Sequence, residues 1–227
     1  ATSKVLRVRG KVIPSSAEKL RLNAEMTDGR IVEGESQIPH AHGKIKRVFT
    51  TPEHPRAIQS AVDAIREADA IVLGPGSLYT SIMPNLCVPD IVQAVRTSKA
   101  PKIYRCHEMS LPAETDDITL ADHILPLTLQ AGGKVIDFVI ANNGDVDPAV
   151  LQRYVAHGSH PVMIDKKEVS QTGATLILSN LINKENSATH DTKKLANVLF
   201  DLINALRTDL SPELLHYYLK RYTFNHR

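Results

Sequence analysis

Four hydroxyls fall within five residues at Ser77, Tyr79, Thr80 and Ser81, directly after the small-residue turn Gly74-Pro75-Gly76. Backbone N–H groups left open by such a turn, joined by side-chain hydroxyls, suit a phosphate or a diphosphate. Glycine at 74 and 76 removes side chains where the backbone must bend sharply, and Pro75 stiffens the bend. The preceding Ala70-Ile71-Val72-Leu73 is apolar without alternation, the pattern of a strand covered on both faces in a parallel sheet. The turn therefore falls at the carboxyl end of a strand, where open α/β sheets bind their ligands. A plain strand-to-helix turn uses the same glycines, so the density of hydroxyls and the position on the sheet are what favour a ligand.

A second cluster runs Cys106-His107-Glu108-Met109-Ser110-Leu111-Pro112-Ala113-Glu114-Thr115-Asp116-Asp117. It follows the strand expected at 102–105, which places it on the same sheet edge as the Gly74 turn. Carboxylates beside a phosphate turn suit Mg²⁺ carried on a diphosphate, because magnesium takes oxygen ligands and substrate phosphates. Asp116 is the candidate metal ligand. The alternative is that Thr115 or Asp116 caps the next helix while Glu114 and Asp117 favour its dipole. His107 and His123 are candidate acid/base groups, but no Ser or Cys has an identifiable base partner. His40 and His42 lack a third ligand and read as solvent-facing. His190 and Asp191 precede the last long helix, which Asp191 or Thr192 would cap. Neither the P-loop nor the ordinary dinucleotide fingerprint occurs.

Elements must hold these groups in place. The residues up to about 52 read as an antiparallel β meander, with strands at 5–13, 20–26, 30–35 and 44–50 and a hairpin at Asp28-Gly29. An amphipathic helix is expected at 55–68, begun by Pro55. Helices at 89–97, 119–130 and 148–157 then alternate with strands at 102–105 and 135–141, with Asp147 capping the third of these helices. Two helices close the chain, 191–206 and one begun by Ser211-Pro212-Glu213. The sequence thus predicts an α/β fold: one domain over 1–227 with a Rossmann-like, mostly parallel sheet, flanking helices and an N-terminal antiparallel meander. Its portions are 1–52, 53–206 and 207–227.

Composition narrows the function classes. The 227 residues carry a net charge of +2, with 42% hydrophobic and 23% charged residues, ordinary for a globular protein. Residues 1–56 hold 11 Lys/Arg against 6 Asp/Glu, a basic stretch able to attract an anionic ligand or simply to line solvated β edges. Aromatics are 4% and Trp is absent, which argues against stacking platforms for single-stranded nucleic acid. No signal peptide or membrane span is readable, and Cys87 and Cys106 lack metal-ligand spacing. The expectation is a cytoplasmic protein with reduced thiols.

One resemblance rests on particular residues. Lys4-Val5-Leu6, Val8-Arg9-Gly10-Lys11-Val12-Ile13-Pro14, Gly34-Glu35-Ser36, residues 73–81, Pro84-Asn85-Leu86 and Glu114-Thr115-Asp116 follow one another in order. Together they resemble the gluconeogenesis factor (YvcK-like) family, which is related to the 2-phospho-L-lactate transferase (CofD-like) proteins. The resemblance implies a Rossmann-like fold and binding of a nucleotide-sugar such as UDP-N-acetylglucosamine. It also implies a role in cell shape and cell-wall synthesis under gluconeogenic growth. The transferase branch instead joins a phospholactyl group to a deazaflavin with Mg²⁺.

Relative to the family pattern, this chain shows neither a Gly-Gly-Gly-Thr-Gly turn nor an Asp-Asp-Gly-Gly-Ser stretch, and it begins about a third of the way in. His107 stands in the family's Cys-Asn-x-Met segment, Ala113 where a glycine precedes Glu-Thr-Asp, and Thr189 where arginine is common. The expected ligand residues are Gly74, Gly76, Ser77, Tyr79, Thr80, Ser81, Asn85, Glu114, Thr115, Asp116, His190 and Asp191. The leading expectation is a nucleotide-sugar-binding regulator that needs no cofactor and can pair as a homodimer. The alternatives are a Mg²⁺-dependent transferase like the phospholactate enzyme and a protein-binding scaffold built on the sheet and tail helix.

Overall fold

The computed structural model describes residues 10–183 and 188–207. The strand expected at 5–13 lies largely outside the described residues, and the tail helix begun by Ser211-Pro212-Glu213 lies wholly outside them. The meander is present in its remaining strands, β1 (Arg21–Met26), β2 (Ile31–Glu33) and β3 (Ile45–Thr51), ordered β2-β1-β3 and antiparallel throughout. Alternation along β1 turns Leu22, Ala24 and Met26 inward, and Ala24 sits in register with the buried Val48 of β3. Gly29 closes the hairpin at φ +88°, a conformation glycine adopts without Cβ strain.

The second layer is a four-stranded parallel sheet ordered β4-β5-β6-β7, formed by Ile71–Leu73, Lys102–Arg105, Phe138–Asn142 and Thr175–Ser179. Among the described residues seven α-helical segments join it: α1 (Gln59–Arg66), α2 (Met83–Leu86), α3 (Pro89–Thr97), α4 (Leu120–Ala131), α5 (Pro148–Ala156), α6 (Lys166–Gln171) and α7 (Thr192–Arg207). Period-two alternation divides the central strands between two cores. Ile103, Ile140 and Ile177 pack with Leu195, Val198 and Leu202 of α7. Tyr104, Val139 and Leu178 join the larger core, which extends through α3 and α4 to Leu22 and Val48 of the antiparallel sheet. Burying each such aliphatic side chain stabilises the fold by about 1.5–3 kcal/mol before its ordering entropy is charged.

Three local expectations are corrected. The helix expected from Pro55 begins at Gln59, because Ala57 is held by an antiparallel bridge to Ser16 and Ile58 has extended backbone. Long-range pairing there overrides proline's local start signal. Among the described residues the strand before the Gly74 turn lies at the edge of its sheet, and Val72 is 37% exposed rather than covered. Neither Thr115 nor Asp116 caps α4. Thr119 does, through a capping box in which its hydroxyl accepts the Asp122 N–H and Asp122 accepts the Thr119 N–H. Helix α6 and strand β7 were not expected from the sequence; β7 is apolar but short, and its pairing with β6 is what defines it.

Candidate functional site

Gly74 leaves β4 at φ +100°, and a Cβ there would lie 2.9 Å from the Arg105 carbonyl oxygen. Both the conformation and the close approach to β5 require glycine. At Gly76 an added Cβ would lie 3.1 Å from the Ser81 Cβ, so the loop folds tightly over its own following turn. That turn is a short π-helical stretch, Leu78–Ile82, continuing into α2. Such widened turns recur at functional sites.

The hydroxyls are not loose. Ser77 Oγ lies 2.6 Å from Thr80 Oγ1 and 2.8 Å from Ser81 Oγ, and Thr80 Oγ1 donates to Glu114 Oε1 at 2.9 Å. The backbone N–H groups of Tyr79 and Thr80 also face the Glu114 carboxylate. Burial raises the Glu114 pKa above the ordinary carboxylate value, and these hydrogen bonds oppose that rise. Burial likewise pushes the Tyr79 phenol up to about 12, with Glu114 adding to the effect, which keeps it protonated. Glu114 therefore ties the β5 loop to the turn after β4, and part of the turn's donor capacity is used within the protein.

A cleft of about 510 Å³ opens beside the turn, in the size range of small-molecule sites. Gly74, Pro75, Ser81 and Asn85 line it together with Lys11 and Ser15, while Ile65, Ile71 and Ile91 supply apolar wall. Ser15 Oγ donates to Asn85 Oδ1, and Asn85 Nδ2 donates to the Ser81 carbonyl at 3.0 Å. Of the expected ligand residues, Gly74, Ser81 and Asn85 line the cleft, whereas Ser77, Thr80 and Glu114 do not and are hydrogen-bonded in a chain.

Thr115 and Asp116 have other engagements. The Thr115 hydroxyl accepts the Leu111 N–H at 2.8 Å, and Asp116 Oδ2 accepts the Ala113 N–H at 2.6 Å. Asp191 Oδ1 accepts the N–H groups of Lys193 and Lys194 and caps α7. These bonds lower the Asp191 pKa.

Sequence reading passed over the groups at the end of β5. Arg105 is fully buried, donates to the Cys106 carbonyl and pairs with Glu108. Among the described residues, buried side-chain atoms without a hydrogen-bond partner are Asn23 Oδ1, Arg105 Nε, His107 Nε2 and Glu114 Oε2. Three of these four belong to the segment entered from β5. Buried polar atoms are normally satisfied, so these three make this segment a candidate for polar contacts beyond the chain's own. The sequence signal for Arg105 was available: a cation ending a buried parallel strand, three residues before a carboxylate.

The parallel sheet with flanking helices, joined to a three-stranded antiparallel sheet, defines an α/β protein with a glycine turn and a cleft at the sheet's carboxyl edge. The 2-phospho-L-lactate transferase CofD family model matches residues 1–182, and the chain belongs to that family. It is 44% identical over 202 residues to the gluconeogenesis factor of Bacillus subtilis, covering 88% of this chain and 64% of that protein. It is 39% identical over 201 residues to the gluconeogenesis factor of Listeria monocytogenes, covering 88% of this chain and 61% of that protein. A crystal structure of a UPF0052-family protein from Bacillus halodurans superposes with a TM-score of 0.83 at 39% identity, over 88% of this chain and 64% of that one. This chain thus spans somewhat less than two thirds of these relatives. Among the described residues no helix is long and apolar enough to cross a membrane.

Proposed function

We propose that this chain binds a UDP-linked nucleotide-sugar and acts as a regulator of cell shape and cell-wall synthesis during gluconeogenic growth. The observation that carries the reading is the rigid Gly74 turn at the carboxyl edge of the parallel sheet, opening onto a cleft of about 510 Å³. The diphosphate would meet the turn near Ser81 and Asn85, with Lys11 supplying positive charge and the aliphatic wall accepting less polar parts of the ligand. The name gluconeogenesis factor carried by the relatives supports the gluconeogenic part of this reading. Isothermal calorimetry with UDP-N-acetylglucosamine tests it. Saturable heat that is lost in Asn85→Ala supports the reading, and no heat with any UDP-sugar removes it.

The family match favours one second reading, a Mg²⁺-dependent transferase of the phospholactate type. Among the described residues no group of three or more His, Cys, Asp or Glu side chains is placed to hold a metal ion. Magnesium in this reading arrives on the ligand's phosphates and draws on Asp116, as magnesium sites built on substrate often do. Product formation that depends on Mg²⁺ and falls in Asp116→Asn separates this enzyme from a binder.

A further inference from the structure

Ser15, Ser81 and Asn85 line the cleft beside the Gly74 turn, and each spends its side-chain donors inside the protein. The direction of the Ser81 hydroxyl follows from Glu114. A carboxylate only accepts, so the 2.9 Å bond from Thr80 Oγ1 to Glu114 uses the one hydroxyl proton of Thr80. Thr80 then accepts across its 2.6 Å contact with Ser77, which spends the Ser77 proton. Ser77 in turn accepts from Ser81 across 2.8 Å, so the Ser81 proton points back along the chain. What Ser81 Oγ shows the cleft is lone pairs. The Ser81 N–H is spent as well, on the Ser77 carbonyl at 3.0 Å. Asn85 is fixed by a separate set of bonds. Its Nδ2 donates to the Ser81 and Ile82 carbonyls at 3.0 and 3.4 Å, because the reversed amide would set oxygen against both. Its Oδ1 therefore faces Ser15, which donates its hydroxyl proton there.

We propose that Ser15, Ser81 and Asn85 form an acceptor wall, which binds hydroxyl groups of the ligand's sugar rather than its phosphate oxygens. The proposal rests on the nucleotide-sugar reading and divides that ligand within the cleft. Phosphate oxygens are acceptors, and two acceptors that meet without a proton between them repel. A sugar hydroxyl supplies the missing proton. Among the lining residues Lys11 carries the positive charge, and its ammonium offers three donors. The diphosphate therefore lies toward Lys11 at the turn, while the sugar joined to it lies on Ser81 and Asn85. Glu114 does not line the cleft. It is a positioning residue, whose charge sets the proton direction of Ser81 through Thr80 and Ser77.

Calorimetry without divalent metal at pH about 8, above the carboxylate range, tests the proposal. The probes are UDP-N-acetylglucosamine, its analogues with single sugar hydroxyls replaced by hydrogen or fluorine, and inorganic pyrophosphate. Fluorine cannot donate a hydrogen bond. At least one deoxy analogue should bind about three- to tenfold more weakly than the parent, and its fluoro counterpart should not recover the loss. In Ser81→Ala the parent should fall to the affinity of that deoxy analogue, whose own binding should change little. Ser77→Ala keeps the Ser81 hydroxyl but releases its proton to the cleft, so pyrophosphate should bind this variant more tightly than the wild-type chain. Ser15→Ala lies outside the turn and should likewise bring the parent down to a deoxy analogue, which keeps the test available if the turn variants fold poorly. Three results would each overturn the proposal and leave the nucleotide-sugar reading standing. They are fluoro analogues that match the parent at every position, pyrophosphate weakened by Ser81→Ala as strongly as the parent, and parent binding that requires Mg²⁺. Absence of heat with any UDP-sugar, with or without Mg²⁺, overturns both.

Discussion

Arg105 and Glu108 illustrate how much one pair of residues holds at the end of β5. With side chains 0% and 3% exposed, the pair has no water to replace a lost partner. Glu108→Ala would leave a buried guanidinium uncompensated, and we expect a loss of about 3–5 kcal/mol in denaturant unfolding. Ala113 lies nearby at φ +66°, a left-handed conformation in which its Cβ is unfavourable. Ala113→Gly should therefore stabilise the chain by roughly 0.5–1 kcal/mol, the Cβ relief exceeding glycine's extra unfolded-state entropy. A lower midpoint in that variant would contradict the backbone geometry. His123 is 2% exposed, its Nδ1 lies 2.8 Å from the Thr119 carbonyl oxygen, and burial lowers its pKa. The unfolded chain takes up that proton more readily than the folded one. Stability is therefore fully present above pH about 6.5 and declines as pH falls through and below that value. Glu114, whose pKa is raised, works in the opposite sense, because the folded state is relieved when the carboxyl protonates on acidification. Melting midpoints measured from pH 7 to 5 should fall, and the fall should be smaller in His123→Gln.

At the scale of elements, the turn between β4 and the π-helical stretch carries the site. Its geometry comes from two independent demands on Gly74, the positive φ and the 2.9 Å approach to the Arg105 carbonyl. Gly74→Ala should cost about 1–3 kcal/mol through backbone strain alone, with steric displacement of β5 adding to it. Ligand binding measured on the folded fraction should weaken as well, whereas Thr119→Ala should cost about 1 kcal/mol in stability and leave binding intact. Comparing the two variants separates a perturbed site from a perturbed scaffold. The hydroxyl-rich sequence pointed to this turn, yet the spacing of Ser77, Thr80 and Ser81 did not reveal that they bond one another. Their nearness depends on the wider π-helical winding and on Glu114 arriving from 34 residues away.

For the whole molecule, the two sheets share one core, so a ligand at the sheet edge is linked to global unfolding. A ligand that binds only the folded chain at a hundred times its dissociation constant adds about 2.7 kcal/mol of stability. UDP-N-acetylglucosamine should accordingly raise the melting midpoint, and UMP, which lacks the diphosphate linkage, should raise it less. Equal shifts from the two would remove the diphosphate from the recognition. Val72 of β4 is 37% exposed and lines the cleft, so among the described residues the candidate site lies at the β4 edge of the sheet.

Local chemistry in the sequence determined the alternation that builds β1, the apolar runs of β4 and β6 and the Gly-Pro-Gly turn that ends β4. Those features depend on side-chain period and on backbone freedom, both written in neighbouring residues. Tertiary structure alone decided where α1 begins, that β4 lies at the edge of the described sheet, and that the Arg105 carbonyl and Glu114 meet the turn. Each of these depends on a contact between segments far apart in the chain. Asp116 and Asp191 show the same division from the other side. Their residue types allowed ligand binding or capping, and only the folded positions of Ala113, Lys193 and Lys194 show that both carboxylates accept backbone N–H bonds.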